Sequence, residues 1–232
     1  MFFFDTTMFL LIPAMLLALY AQNKVKSTYN KFARVHAGRG MSGAQVARML
    51  LDRAGLNGVG VELSRGHLTD HYDPRKQVVR LSGEVYQGTS LAALGIAAHE
   101  TGHALQHAGG YFALTLRNNF FPVASLGSSL AMPLFLVGFL FSQPGGDGLG
   151  ILMDVGIMLF SFAVLFQVIT LPVEFNASSR AIALLRENNV ILSREESGVR
   201  AVLNAAALTY VAATAVAVSH LLRLILLRKR RQ

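Results

Sequence analysis

The sequence predicts a mainly α integral membrane protein with about four transmembrane helices and a small α+β region that carries a short β-hairpin or sheet. The 232-residue chain is 53% hydrophobic and only 15% charged, with a mean hydropathy of +0.44. The hydrophobic fraction and the hydropathy exceed those of an ordinary soluble protein, and the charged fraction is lower. The apolar residues are concentrated in four segments, and the polar regions between them contain helix caps and Val-rich alternating stretches.

The four apolar segments approach or exceed the roughly 20 residues that a helix needs to cross a bilayer. They are Phe2–Gln22, Phe120–Ser142, Ile151–Leu171 and Ala205–Leu227. The first begins without positive charge, so we expect a retained span rather than a cleaved signal peptide. The glycine-rich stretch between the second and third predicts a helical hairpin. The fourth contains His220 and Arg223, so a buried or interfacial helix is its alternative.

These segments divide the chain into five parts. We predict a first transmembrane helix at 1–22, a larger α+β region at 23–119, the transmembrane hairpin at 120–171, a helix and connection at 172–204, and a last transmembrane helix with a basic tail at 205–232.

The α+β region begins with a capped helix. Ser42 and Gln45 form a capping box, and Gly55 ends the helix. The stretches "VGVELSRG" and "KQVVRLSGEVY" then predict strands, with "DHYDPRK" as a turn between them. A further helix begins near Ser90. In the second polar region, the "SREE" capping box at Ser193 predicts the start of the last helix.

The helix after Ser90 contains "HETGH", which matches the His-Glu-x-x-His pattern. His99 and His103 lie one above the other on a helix, so both can bind one zinc ion per chain. Glu100 is rotated by about 100° and lines the same cleft, where it can act as general base toward a zinc-activated water. The chain has no cysteine, so His and carboxylate ligands must hold the metal. The alternative, packing or surface histidines, leaves three polar groups on an apolar helix without partners.

The third ligand has two candidates. His107 continues the spacing, but it is eight residues from His99, about 12 Å along a straight helix. A zinc–nitrogen bond is about 2.1 Å, so His107 fits only if the helix bends, and the nearest glycine, Gly102, precedes His103. Glu174 follows the predicted hairpin, which returns the chain to the membrane face that it left. We therefore favour Glu174, expected at the start of a helix, and keep His107 as an alternative ligand or a lining group.

The chain resembles the YugP-type neutral zinc metallopeptidases of bacterial membranes in "VKSTYNKFARV", "LTDHYDPRKQVVRLS", "AAHETGHALQHA" and "LPVEFNASSRA". It resembles the HtpX-type membrane peptidases more distantly. The resemblance implies a zincin-like catalytic region, a zinc metalloendopeptidase activity and Glu174 as the third ligand. Ser178 stands where the HtpX type has Asp, and Asn176 stands where the YugP type usually has Asp. Both departures remove a carboxylate that could support a histidine ligand.

A peptide hydrolase also needs a group that stabilises the transition state. The polar candidates are His71, Tyr72, His107, Asn176 and Arg180. The strand "KQVVRL" could hold an extended protein or peptide substrate by edge pairing, or could be an ordinary sheet strand. The competing function is a non-catalytic membrane protein whose structural zinc takes His107 as a fourth ligand.

The charge pattern predicts a multi-pass protein of the cell membrane with its α+β region in the cytoplasm. The net charge is +8, but the sequence contains no nucleic-acid recognition motif, so we expect no nucleic-acid partner. Basic residues directly follow the first span, and Asp5 lies near its other end; these basic residues are Lys24, Lys26, Lys31 and Arg34. The C-terminal "RKRRQ" disagrees with this orientation if all four segments span. The sequence specifies no oligomeric state.

Overall fold

The computed structural model describes residues 6–142 and 149–230. Asp5, the centre of the turn between the second and third spans, and the last two residues of the basic tail lie outside the described residues. A short 3-10 helix at Thr6–Leu10 precedes the regular elements. In chain order these are α1 Leu11–Phe32, α2 Gly43–Arg53, β1 Gly60–Ser64, β2 His71–Asp73, β3 Val78–Ser82, α3 Gly83–Tyr86, α4 Leu91–Ala108, α5 Phe112–Phe141, α6 Gly150–Glu187 and α7 Glu196–Lys229.

The predicted fold class is confirmed. Four described helices are long and apolar enough to cross a membrane, namely Thr6–Phe32, Phe112–Phe141, Gly150–Glu187 and Glu196–Lys229. One small three-stranded sheet accompanies them. The chain forms two compact units. The membrane unit comprises Met1–Ala21, Leu116–Leu171 and Thr209–Gln232, and the polar unit comprises Gln22–Thr115 and Pro172–Leu208.

Helices α5 and α6 pack closely within the membrane unit because glycines lie at their contacts. A Cβ on Gly127 would lie 2.8 Å from the carbonyl oxygen of Leu159, and one on Gly156 would lie 2.8 Å from that of Ala131. The order of these contacts makes the two helices antiparallel, as a hairpin requires. Such small residues allow close backbone approach between membrane helices, where apolar burial provides little driving force.

The surface of the membrane unit is apolar, and one ion pair joins two of its helices. Leu126 and Ile151 are each 62% exposed, which suits contact with lipid rather than water. Asp154 accepts two hydrogen bonds from Arg228, at 2.8 and 2.9 Å. This pairing reduces the cost of placing charges on membrane helices.

The polar unit has a conventional hydrophobic core centred on α4. Leu94 and Ala98 of α4 pack in one cluster with Ala181 and Leu185 of α6. A second cluster joins α4 to α2 and the sheet through fully buried residues that include Ala97, Leu51 and Leu81. Helix α4 is thus enclosed on several sides, which limits the positions that its polar side chains can take.

The sheet has the order β1-β3-β2, with β1 parallel to β3 and β2 antiparallel to it. Both predicted strands exist, but the stretch between them was wrongly assigned as a turn only, because it contains β2. The second predicted strand, "KQVVRLSGEVY", corresponds to β3 and ends at Ser82, because α3 begins at Gly83. Strand β3 is central, and Val78–Arg80 pairs on both sides. It therefore has no free edge there for an extended peptide.

Side-chain caps explain the starts of α2 and α4, whereas the predicted start of the last helix is wrong. Ser42 and Gln45 form the predicted capping box, and the Ser90 hydroxyl accepts a hydrogen bond from the Ala93 N–H. The last helix begins at Glu196 instead of following a cap at Ser193, so that predicted box is wrong. The carboxylate of Glu195 instead accepts the backbone N–H groups of Gly38 and Leu192.

Candidate metal centre

Glu174 lies in the middle of α6, not at a helix start as the sequence suggested. Helix α6 runs unbroken from Gly150 to Glu187 and includes Pro172. A proline normally interrupts a helix because it lacks an N–H, yet membrane helices tolerate it. Helical backbone on both sides therefore fixes the position of Glu174, and its carboxylate is not an N-terminal charge that a helix dipole stabilises.

Helices α4 and α6 touch at a glycine beside the histidines. A Cβ added to Gly102 would lie 2.8 Å from the carbonyl oxygen of Ala177 and 3.4 Å from its Cα. Real Cβ atoms do not come this close, so any larger residue would push the helices apart. Gly102 precedes His103, and Ala177 is one helical turn beyond Glu174. The close approach therefore brings these side chains together.

Three potential ligand atoms converge at this contact. The Nε2 atoms of His99 and His103 lie 3.3 and 3.7 Å from Oε2 of Glu174. All three side chains offer atoms within 4.8 Å of one another, so the group could hold a metal ion. The two imidazole rings are nearly perpendicular, with centroids 4.7 Å apart. The Glu174 side chain is almost fully buried.

The other ring nitrogens are already engaged. His103 Nδ1 lies 2.9 Å from Oε1 of Gln106, which can only accept a hydrogen bond, so this nitrogen carries the proton. His99 Nδ1 lies 3.2 Å from the hydroxyl of Ser178. Both arrangements direct Nε2 toward Glu174. Two imidazoles oriented through Nδ1, together with one carboxylate, are the donors that an open zinc site uses, so the residues present fit this metal.

Gln106 connects the two helices behind the histidines. Its side chain is fully buried, and its amide nitrogen donates to the carbonyl oxygen of Val173 at 2.9 Å and to Oδ1 of Asn176 at 3.0 Å. These two acceptors fix the orientation of the amide, which leaves Oε1 for His103. The Nε of Arg180 also donates to Asn176, at 2.7 Å. Asn176 and Arg180 thus support the cluster from α6 through Gln106.

The cluster needs a positive charge at its centre. Two imidazole lone pairs and a carboxylate repel one another unless a cation or a proton lies between them. Burial by itself would lower the pKa of His103, but the hydrogen bond to Glu174 and the charges of Glu100 and Glu174 raise it above its ordinary value. This direction shows that the surroundings of His103 favour a positive charge.

Glu100 lies beside the cluster without joining it. It follows His99 on α4 and is 9% exposed. In residues 6–142 and 149–230, no hydrogen bond or ion pair engages its carboxylate, in contrast to that of Glu174. A buried carboxylate that keeps its acceptor sites open can take a proton from water.

The remaining predicted residues lie elsewhere. Nδ1 of the exposed His107 lies 2.9 Å from the hydroxyl of Tyr72. Together with Ala104, they line a groove of about 410 Å³ beside β2. His71 Nδ1 contacts the carbonyl oxygen of Thr69 at 2.8 Å. Among the described residues, the candidate metal cluster includes neither His107 nor His71.

The sequence did not reveal the roles of three contributing residues. Gln106 lies three residues beyond His103, and a polar residue at this spacing on an apolar helix could have identified it. Ser178 was considered only as a missing carboxylate, although its hydroxyl reaches His99. Gly102 was considered only as a possible helix break, yet its role is close packing against Ala177.

Comparison with known proteins places the chain in a family. Residues 7–229 match the family described as "Putative neutral zinc metallopeptidase". A protein of Bacillus subtilis (strain 168), named "Putative membrane protease YugP", is 51% identical over 219 residues, which cover 94% of this chain and 95% of the relative. No solved structure matches this chain. The family match spans nearly all residues and agrees with the donor set at the α4–α6 contact, and the chain belongs to this zinc metallopeptidase family.

Proposed function

We propose that this protein is a membrane-embedded zinc endopeptidase in which His99, His103 and Glu174 hold one zinc ion and Glu100 is the general base. The observation that carries the proposal is the convergence of the three side chains at the Gly102–Ala177 contact. The family of the chain and the donor atoms of the three side chains support zinc as the metal.

The residues of the site would have separate roles in peptide hydrolysis. A bound zinc ion supplies Lewis acidity that activates water and polarises the scissile carbonyl. The Glu100 carboxylate accepts the proton from the attacking water and can deliver it to the leaving amine. Gln106 and Ser178 hold the two imidazoles so that Nε2 faces the metal position.

The competing proposal is a non-catalytic protein with a structural zinc site. Such a site is closed by four protein ligands. The described cluster offers three, and His107, the expected fourth, contacts Tyr72 instead. A three-donor set leaves a position for water or substrate, which favours the catalytic proposal.

Replacing Glu100 separates the two proposals. We expect Glu100→Gln to lower hydrolysis of a casein-type substrate by at least about 100-fold, because general-base catalysis contributes about that much or more. Zinc content should stay near one ion per chain, since Glu100 is not a ligand. Glu187→Gln, an exposed carboxylate at the end of α6, is the matched control. Undiminished hydrolysis in Glu100→Gln would end the peptidase assignment.

We further propose that the polar unit lies on the cytoplasmic face and acts on protein or peptide substrates there. The support is the basic sequence that follows the apolar part of α1. The chain lacks cysteine, so a single introduced cysteine reports one position. Lys76→Cys, on the exposed stretch between β2 and β3, should react with a membrane-impermeant maleimide only after cells are opened.

The control for this orientation is Asp147→Cys, in the turn that the sequence predicts between the second and third spans, which should react in intact cells. Reaction of Lys76→Cys in intact cells, with protection of Asp147→Cys, would reverse the assignment.

A further inference from the structure

A second polar pocket lies in the polar unit, between α1 and α7. It has a volume of about 540 Å³, and Lys24, Thr28 and Lys31 line its α1 wall. These residues are spaced four and three apart, so their side chains share one helical face. Small residues on α7, including Ala201, leave the space open, and Asn204 adds an amide to that wall. We call this feature the lysine pocket.

The lysine pocket carries positive charge that nearby groups do not neutralise. No carboxylate lines it. Within residues 6–142 and 149–230, neither Lys24 nor Lys31 forms an ion pair with an acidic side chain. The Nζ of Lys31 lies 5.2 Å from the ring centroid of Phe32, a contact that orients the ammonium group without cancelling its charge. Two exposed cations facing one cavity attract an anion.

The chemistry of the wall favours a phosphate group. Two ammonium groups supply point charges for it, and the hydroxyl of Thr28 and the amide of Asn204 supply neutral hydrogen-bond donors. Phe32 and Leu208 add apolar surface beside the polar groups, which free phosphate would not use.

The position along α1 favours a lipid as the source of the phosphate. Lys24 follows the apolar run that ends near Ala21, so it lies where a membrane helix leaves the hydrocarbon region. Headgroup phosphates lie at this level, and basic pockets between helices at the membrane surface bind anionic headgroups. We infer that the lysine pocket binds the phosphate headgroup of an anionic phospholipid. This inference does not depend on peptidase activity.

Lipid binding by the purified full-length protein tests the inference. Native mass spectrometry in neutral detergent would count phosphatidylglycerol and phosphatidylcholine molecules retained per chain during titration with each lipid. We expect wild type to retain one phosphatidylglycerol in preference to phosphatidylcholine. Lys24→Gln/Lys31→Gln should weaken phosphatidylglycerol binding by about thirtyfold, since each lysine near a lipid surface contributes several-fold.

Two further variants separate a pocket from diffuse surface charge. Lys26→Gln/Arg34→Gln removes the same charge from the same stretch, but neither residue lines the pocket, so it should bind phosphatidylglycerol like wild type. Ala201→Leu keeps every charge and fills part of the space, so it should lose the preference for phosphatidylglycerol. Unchanged thermal unfolding and zinc content would show that each variant is folded.

Several outcomes would overturn the inference. Equal losses in the two double variants would indicate diffuse attraction, as would wild-type binding by Ala201→Leu. Inorganic phosphate that binds as tightly as phosphatidylglycerol would make free phosphate the ligand. An acidic peptide that binds through Lys24 and Lys31 while phosphatidylglycerol does not would identify a protein partner instead.

Discussion

The two ends of the histidine row on α4 have the same residue type and spacing but different surroundings. His99 and His103 face α6, where Glu174 lies within 3.3 and 3.7 Å of their Nε2 atoms. His107, one turn further on, faces the sheet and contacts Tyr72. Spacing along a helix therefore supplies candidate ligands, while the element packed against each turn decides which of them can share a metal.

The largest effect is expected on zinc content, when removal of the Glu174 carboxylate is compared with removal of the His107 imidazole. Glu174→Ala removes one of three converging donors, so zinc content should fall from near one ion per chain to near zero after dialysis. The affinity loss should exceed the 10- to 100-fold typical of residues that only orient a ligand. His107→Ala should leave zinc content unchanged. Elemental analysis of the purified proteins measures both.

The opposite result would reverse the comparison between the two ends. Zinc loss in His107→Ala alone would make His107 the third ligand and would require α4 to bend between His103 and His107.

The sequence predicted the elements of the site better than their contacts. Helix α4 and its start near Ser90 follow from local signals, because a helix start and an apolar period are properties of neighbouring residues. Strand β2 was missed because it has three residues beside a strong Asp73–Pro74 turn signal, and its pairing partner β3 stabilises it. Tertiary contacts of this kind override local propensity.

The same distinction applies to the site. Glu174 was chosen from chain topology, yet the continuity of α6 through Pro172 was not foreseen. A proline boundary is a local expectation, and packing between helices can overrule it, as Pro122 and Pro133 inside α5 also show. The contact between Gly102 and Ala177 joins residues that are distant in sequence, so one sequence alone does not reveal it.

A smaller effect is expected behind the ligands, at Gln106. Gln106→Leu leaves His103 Nδ1 and the Val173 carbonyl without their partner, so zinc affinity should fall by about 10- to 100-fold. Gln106→Glu keeps an acceptor for His103 and should lose less. Competition with a zinc chelator measures the dissociation constants directly. Gln87→Leu, on an exposed glutamine, is the control.

This prediction distinguishes orientation of a ligand from general stability. If Gln106→Leu lowers the thermal unfolding midpoint but binds zinc as tightly as wild type, Gln106 only holds α4 against α6, and the tautomer argument for His103 is wrong.

The smallest effect is expected at the far end of the row, where Tyr72 contacts His107. Tyr72→Phe removes one partly exposed hydrogen bond, so the free energy of unfolding should fall by about 1 kcal/mol or less, with zinc affinity unchanged. Denaturant unfolding in detergent and chelator competition measure the two quantities, with Tyr86→Phe as control. A large fall in the turnover rate at unchanged zinc affinity would contradict this expectation. It would show that the groove beside β2 contributes to the reaction, because a hydroxyl that reaches the reacting carbonyl can change the rate without changing the metal.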